Sequence, residues 1–90
     1  MNITWDDRKA DDNLKKHGVS FDEAATVLIN PLTLMNENDH PDGDRWEYIG
    51  YSFKQRLIYV VSVEKVDEDD VRIVSARKAT IHEREKYEER

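Results

Sequence analysis

The chain has 90 residues, no cysteine and a formal net charge of −6. A chain of this length builds one domain around one core, and without cysteine it has neither disulfides nor thiolate metal sites. No apolar run approaches the roughly 20 residues that a membrane helix needs, so we expect a cytoplasmic protein with no membrane partner. The negative charge taken alone disfavours nucleic acid as a partner, because polyanion binders usually present a positive surface.

The distribution of charge changes that inference. Residues 1–44 carry 4 Lys/Arg and 10 Asp/Glu, whereas residues 45–90 carry 10 of each. Residues 45–63 and 71–79 together hold one acid, Glu47, and the cations Arg45, Lys54, Arg56, Arg72, Arg77 and Lys78. The distribution therefore predicts a cationic sheet on an acidic body, which is compatible with a polyanionic ligand.

Two helices are predicted in the first half of the chain. The first covers residues 6–17 and ends at Gly18, which can adopt the left-handed conformation that stops a helix. Its narrow apolar edge consists of Ala10, Leu14 and His17. The second covers residues 20–29, where Ser20 and Glu23 have the spacing of a capping box. A broad apolar stripe on this second helix must pack on another element.

Short β-favouring segments account for the sheet. Strands are predicted at residues 3–5, 32–35, 45–52, 57–66 and 71–76. Residues 53–56 have the length of a hairpin connection, and residues 67–70 form an acidic turn. Residues 36–43, NENDHPDG, are polar and contain Pro and Gly, so they are predicted to form a loop.

A C-terminal helix is predicted to begin at Thr80, which has the spacing of a second capping box with Glu83. The strand at residues 71–76 delivers Arg77 and Lys78 to the start of this helix. Backbone N–H groups at a helix start point outward and favour an anion. The junction is therefore a predicted anion-binding site.

Strand alternation separates the cations at this junction. In a regular strand Arg77 lies on the same face as Ile73 and Ser75, whereas Arg72 and Lys78 lie on the opposite face. We therefore expect Arg77 to bind the anionic group directly. Arg72 and Lys78 are expected to contact the backbone of a longer polyanionic ligand.

The predicted elements define a fold class. Their order is a strand, two helices, three or four strands and a helix, and no segment suggests a linker or a second domain. This order indicates a single α+β domain over residues 1–90. We expect an antiparallel sheet of four to five strands, with the two N-terminal helices and the C-terminal helix packed on it.

Several strings in the chain resemble the BrnT family of toxins. They follow the family order over nearly the whole chain and include ITWD, NLKKHGVSFDEAATVL, IGYS, RIVSARKAT and EREKYEE. KHGVSFDEA and RIVSARKA are specific as extended strings. The chain departs from the common family pattern at Asp44, where Glu is usual, and at Gln55, where Gly is usual.

The resemblance implies the toxin of a bacterial type II toxin–antitoxin pair, with a fold similar to RelE-type ribonucleases. It implies an endoribonuclease that cuts mRNA and inhibits translation and growth. It also implies a heteromeric complex with a BrnA-like ribbon-helix-helix antitoxin, through which alone operator DNA is bound. Cleavage by internal attack of the RNA 2′-OH requires proton transfer and cations for the transition state. It requires no metal and no cofactor, and we expect none.

Candidate site residues follow from this chemistry. Arg77 and Arg56 are the expected binders of the phosphate in the transition state, and His17, Glu83 and Tyr87 are the groups able to exchange or orient protons. The candidates for binding the substrate backbone are Arg72, Lys78 and Arg45.

Each catalytic candidate also has a structural interpretation. Arg77 can form an ion pair with Glu83, and Arg56 can be a solvated hairpin arginine. Glu83 can serve the capping box alone, Tyr87 can belong to the core or to a partner interface, and His17 can stabilise the end of its helix.

Two further alternatives concern the site and the whole protein. Asp39, His40 and Asp42 are interpreted as a solvated turn rather than a metal site, because no second cluster completes a ligand set. The alternative to a ribonuclease is a non-catalytic antitoxin-binding protein that acts in transcriptional autoregulation.

Overall fold

The computed structural model describes residues 2–40, 43–65 and 69–89. Its elements are β1 (Asn2–Thr4), α1 (Asp7–His17), α2 (Phe21–Leu28), β2 (Leu34–His40), β3 (Gly43–Tyr51), β4 (Leu57–Lys65), β5 (Asp70–Lys78) and α3 (Ile81–Glu88). The strands form one five-stranded sheet in the order β1-β5-β4-β3-β2. The predicted α+β class is confirmed. No described helix combines the length and the apolarity that crossing a membrane requires.

The sheet is mixed rather than purely antiparallel. The pairs β2–β3, β3–β4 and β4–β5 are antiparallel, whereas β1 lies parallel to β5 with Thr4 opposite Arg72. Parallel pairing is possible here because a long connection separates the two strands along the chain. β1 pairs with only the first residues of β5, so α1 lies beside the rest of that edge.

The polar segment predicted as a loop is mostly a strand, so that prediction is wrong. β2 pairs with β3 along its whole length and lies at the edge of the sheet. Only the first residue of β2, Leu34, packs against an apolar cluster. Backbone hydrogen bonds to β3 stabilise the rest of this edge strand, and therefore its sequence lacks the usual alternation. Pro41 and Asp42 lie outside the described residues, as do residues 66–68 of the predicted β4 end and acidic turn. The side chains of Asp39 and His40 are likewise not described.

The main core lies between the sheet and the helices α1 and α2. The fully buried apolar residues that α2 contributes are Phe21, Ala24 and Val27. The predicted apolar edge of α1 is only partly confirmed. Ala10 packs against this core, whereas Leu14 is 49% exposed and Asn13 is buried in its place.

A smaller cluster lies on the opposite face of the sheet, beneath α3. Tyr87 is buried there with Ile49 and Leu57, and its ring meets that of Tyr51 edge-on, with 5.6 Å between the ring centroids. These apolar residues lie near the end of β3 and the start of β4, so α3 covers one end of this face.

Gln55 has φ 59° in the turn between β3 and β4, at a position where the family pattern favours Gly. A side chain in this left-handed conformation is strained by about 1–2 kcal/mol, and glycine avoids the strain. Gln55→Gly is therefore expected to raise the free energy of unfolding by about 0.5 kcal/mol, after the larger entropy of the unfolded glycine chain is subtracted.

Chemical denaturation measures this difference, and Lys54→Gly is the matched control. Lys54 lies in the same turn without a positive φ, so glycine there gains nothing and is expected to lower stability by about 0.5–1 kcal/mol. Equal losses from both substitutions would contradict the strain at Gln55.

Candidate active site

A β-bulge in β5 decides which cations share a face of the sheet. Val61 of β4 pairs with Ser75, but the next residue, Ser62, pairs with Ile73, so Val74 is the extra residue. An extra residue reverses the alternation of all residues beyond it.

The bulge places Arg72 on the same face as Arg77. Arg77 is opposite Tyr59 and Arg72 is opposite Val63, and Tyr59 and Val63 lie on one face of β4 because they are four residues apart. Ile73 instead turns into the core and is fully buried. The predictions that Arg72 faces away from Arg77, and that Ile73 shares its face, are therefore wrong.

We call the surface that carries both arginines the open face. The register from β2 to β5 identifies the described members of its uncovered part as Asn36, Asn38, Arg45, Glu47, Tyr59, Val61, Val63, Asp70, Arg72, Ser75 and Arg77. Leu34, Ile49, Tyr51 and Leu57 lie on the same side of the sheet, towards α3. Lys78 is not among them, because it lies opposite the core residue Ile58. The predicted cationic sheet is therefore divided: three of its cations, Arg45, Arg72 and Arg77, share the open face.

Arg77 and Glu83 form a bidentate ion pair at the edge of this face. Nη1 and Nη2 of Arg77 donate to Oε1 and Oε2 of Glu83 at 2.8 and 2.9 Å. Oε1 also accepts the backbone N–H of Thr80 at 2.8 Å and completes the predicted capping box. Partial burial raises the pKa of Glu83, but the hydrogen bonds from Arg77 and Thr80 outweigh it and leave the pKa below its ordinary value. Glu83 is therefore ionised at neutral pH.

The ring of Tyr59 contacts the guanidinium of Arg77. The guanidinium carbon lies 4.3 Å from the centre of the Tyr59 ring, a distance typical of cation–π stacking. The hydroxyl of Tyr59 donates a hydrogen bond to Glu47. Partial burial and this carboxylate raise the pKa of Tyr59, so the phenol stays protonated at neutral pH.

Neither Tyr59 nor Glu47 was among the site residues predicted from the sequence. Both are ordinary strand residues there, and only the pairing of β3, β4 and β5 brings them beside Arg77. The strand register was the missing signal, and a sequence does not display it.

One edge of the Arg77 guanidinium remains available to a ligand. Nη1 donates to Glu83 and, at 3.3 Å, to the carbonyl of Lys78, and Nη2 donates to Glu83. Within residues 2–40, 43–65 and 69–89, no group accepts a hydrogen bond from Nε. A guanidinium has five N–H donors, so the edge formed by Nε and Nη2 can bind two oxygens of a phosphate.

Arg56 lies away from the open face and binds a buried carboxylate. Its Nε donates to Oε2 of Glu23 at 2.9 Å, and its Nη2 donates to Oε1 of Glu23 and, at 3.1 Å, to the carbonyl of Gly18. The Ser52 hydroxyl donates to Glu23 Oε2 at 2.6 Å. The side chain of Glu23 is fully buried, whereas that of Arg56 is 29% exposed. The hydrogen bonds from Arg56 and, to a lesser extent, from Ser52 lower the pKa of Glu23.

This ion pair ties the β3–β4 turn to α2. Glu23 was predicted to complete a capping box, but only half of that box is present: Ser20 accepts the Glu23 N–H at 3.0 Å, while the Glu23 carboxylate turns to Arg56. The interpretation of Arg56 as a solvated hairpin arginine is therefore wrong. The signal that could have revealed the pair is an acid on the apolar stripe of α2.

The other predicted proton-transfer residues lie in separate places. His17, at the end of α1, lines a groove beside β5. Tyr87 belongs to α3 and is buried with Ile49 and Leu57 in the cluster against which Tyr59 packs. Of the five predicted catalytic residues, the structure places Arg77 and Glu83 in direct contact on the open face. The catalytic roles themselves stay predictions.

The fold and the open face define a class: a small α+β protein with one sheet that presents arginines, a tyrosine and carboxylates on a face that α3 covers only at one end. Residues 5–83 match the family described as "Ribonuclease toxin, BrnT, of type II toxin-antitoxin system". The chain belongs to this BrnT family of ribonuclease toxins.

A solved structure has the same fold. The 1.1 Å crystal structure of the Brucella abortus ribonuclease toxin BrnT is similar to this chain, with a TM-score of 0.69 and 24% sequence identity. The similarity covers 89% of this chain and 97% of the Brucella chain. A comparison with curated proteins found no match.

Proposed function

We propose that this protein is a cytoplasmic endoribonuclease toxin that cleaves mRNA by attack of a 2′-OH on the adjacent phosphate, without a metal ion. Membership of the BrnT family supports the ribonuclease activity. The geometry of Arg77 supports the mechanism, because an oriented guanidinium supplies the positive charge that the transition state needs.

Arg77 binds the scissile phosphate in this mechanism. Glu83 holds the guanidinium end-on and Tyr59 stacks against its plane, so the Nε edge is oriented before the substrate arrives. Preorganised donors stabilise developing charge without further reorganisation. We assign Arg72 and Arg45, on the same face, to the RNA backbone that flanks this phosphate.

Glu83 is the proposed acceptor of the 2′-OH proton. As the 2′ oxygen bonds to phosphorus, the P–O5′ bond breaks and the leaving 5′ oxygen takes up a proton from water. A base works best when its pKa lies near the operating pH, and the pKa of Glu83 is lowered. Glu83 is therefore a weak base, and electrostatic stabilisation by Arg77 has to provide the larger part of the rate. His17 and Tyr87 belong to other contacts, and we assign Arg56 a structural role with Glu23.

The partner in this proposal is a BrnA-like ribbon-helix-helix antitoxin. Its family implies that an antitoxin exists, and covering the open face is the simplest way to block Arg77. We assign the antitoxin no contact with Arg56, because Glu23 already binds that arginine. Operator DNA is then bound through the antitoxin alone, and the complex represses its own operon.

An RNA-cleavage assay tests the proposed function. The purified protein is expected to cut single-stranded RNA equally well with and without EDTA, and to leave 2′,3′-cyclic phosphate ends. RNA with 2′-O-methyl groups should resist cleavage, because its 2′ oxygen carries no proton to lose. Loss of activity in EDTA would contradict the metal-independent mechanism.

Expression in bacteria separates the toxin from the non-catalytic alternative. Expression of the protein alone is expected to arrest growth, and co-expression of the antitoxin should restore it. A protein that binds the antitoxin but neither arrests growth nor cleaves RNA would be the autoregulatory binding protein instead.

A further inference from the structure

A second surface feature lies between α1 and the edge of β5, outside the proposed reaction centre. It is a groove of about 290 Å³. Its lining includes Lys9, Asp12, Lys16 and His17 of α1, and Val74 and Ser75 of β5. These side chains offer mostly hydrogen-bond donors, which suits an anionic ligand.

The groove results from the way β1 ends. β1 pairs with β5 only as far as Arg72, and beyond that point the amide of Asn13 takes the place of a strand partner. Asn13 Nδ2 donates to the carbonyl of Ala76 at 2.8 Å, and its Oδ1 accepts the Ala76 N–H at 3.1 Å. These bonds fix α1 beside β5, and the bulged residue Val74 turns towards the gap between them.

The groove is more positive than the half of the chain that supplies α1. The first 44 residues carry 4 Lys/Arg against 10 Asp/Glu, and two of those four cations, Lys9 and Lys16, line the groove. Because they are seven residues apart on one helix, about two turns separate them along the groove. Asp12 lies between them, and the neighbouring Lys15 is not part of the lining.

Ser75 connects the groove to the open face. It lines the groove and also belongs to the face that carries Arg77. Residues two apart on a strand are separated by about 7 Å. An RNA strand whose scissile phosphate is held by Arg77 can therefore cross β5 at Ser75 and enter the groove.

We propose that this groove is an RNA-backbone subsite, in which Lys9 and Lys16 bind a phosphate that flanks the scissile one. The proposal rests on the ribonuclease function proposed above and extends its substrate site to α1. Lysine binds phosphate as a point charge without reading the base. The subsite therefore contributes affinity, and the substrate must be long enough to span β5.

Binding to an uncleavable RNA tests the subsite separately from catalysis. The probe is a fluorescent single-stranded RNA with 2′-O-methyl groups, and its affinity is measured over a range of salt concentrations. The variant with Lys9→Ala and Lys16→Ala is expected to bind about tenfold more weakly, with a salt slope smaller by about 0.7 for each lost phosphate contact. Lys15→Ala, on the same helix but outside the groove, should change affinity less than about twofold.

Two further measurements test how the charge of the groove affects RNA affinity and how the length of the RNA affects cleavage. Asp12→Asn removes a negative charge from the groove and should strengthen binding. Cleavage of a long RNA by the double-lysine variant should show a raised KM and an unchanged kcat, whereas a dinucleotide substrate should be cleaved as by the unaltered protein.

The outcomes distinguish this subsite from the proposed function. If the unaltered protein cleaves RNA and the double-lysine variant binds the probe as tightly as Lys15→Ala does, the subsite is wrong and the ribonuclease function stands. If the unaltered protein neither binds nor cleaves RNA, the proposed function fails and the subsite fails with it.

Discussion

Arg77→Ala is expected to lower the rate of RNA cleavage by about 10²-fold to 10³-fold, the usual cost of removing one oriented donor to a transition-state charge. The reason lies in its geometry, since Glu83 and Tyr59 hold its guanidinium with one edge available to a phosphate. The rate constant under saturating RNA measures the loss, because the transition state is affected more than substrate binding.

Two variants control for charge and for folding. Arg77→Lys keeps the charge but lacks the planar fork, so its rate should fall between those of the unaltered protein and Arg77→Ala. Arg84→Ala removes an exposed arginine of α3, whose Nη1 contacts the Tyr51 hydroxyl at 3.4 Å, and should cleave normally. Thermal unfolding of each variant checks that the fold persists. Normal cleavage by a folded Arg77→Ala protein would exclude this residue from the reaction.

Arg56→Leu is expected to lower the free energy of unfolding by about 3 kcal/mol at neutral pH, because it leaves the carboxylate of Glu23 buried without its cation. Glu23 is fully buried, and Ser52 alone cannot replace the two guanidinium contacts. Chemical denaturation measures the change. Lys54→Leu is the matched control in the same exposed turn, and it should shift stability by no more than about 0.5 kcal/mol.

The pH dependence of this variant follows from the pKa of Glu23. In the unaltered protein that pKa lies below its ordinary value of 4.5, so the pair stabilises the fold above about pH 4.5 and loses its effect as the pH falls through the lowered value. Without Arg56, burial raises the pKa of Glu23 instead. The two proteins should therefore become more alike in stability as the pH falls from above 4.5, where the buried carboxyl of the variant takes up its proton, through the lowered pKa of Glu23 in the unaltered protein. A difference that stays constant down to acid pH would contradict an ionised Glu23.

A double substitution separates the ion pair from simple packing. Glu23→Leu combined with Arg56→Leu removes both charges and should recover part of the stability that Arg56→Leu loses, since an apolar pair leaves no buried charge. Additive losses would show that the two side chains act independently.

The helix boundaries show how far local signals reach. Asp6, Ser20 and Thr80 each accept backbone N–H groups at a helix start, and Gly18 ends α1 with φ 70°. Capping depends on residues within one turn of each other, so the sequence displays it directly. The apolar spacing of α2 was equally informative, because a helix that covers a sheet must bury one stripe.

The edge strand β2 and the bulge at Val74 are features that local sequence patterns do not predict. β2 has a polar sequence and still pairs fully with β3, because a partner's backbone supplies its hydrogen bonds. The bulge at Val74 has no distinctive residue, yet it moves Arg72 to the face of Arg77 and Ile73 to the core. A shift by one residue reverses every later side chain, so the faces of β5 depend on pairing with β4.

The sequence by itself determined the α+β class, the positions of the helices and the family resemblance, and it predicted Arg77 as the central cation. Only the tertiary structure decided which residues surround Arg77. It places Tyr59, Glu47 and Glu83 around Arg77, brings Arg72 to the same face, and assigns Arg56 to a buried pair with Glu23. The physical reason is distance along the chain. Caps and periodicity act within a few residues, whereas the site and the ion pair join residues whose proximity depends on strand register and on how the helices pack against the sheet.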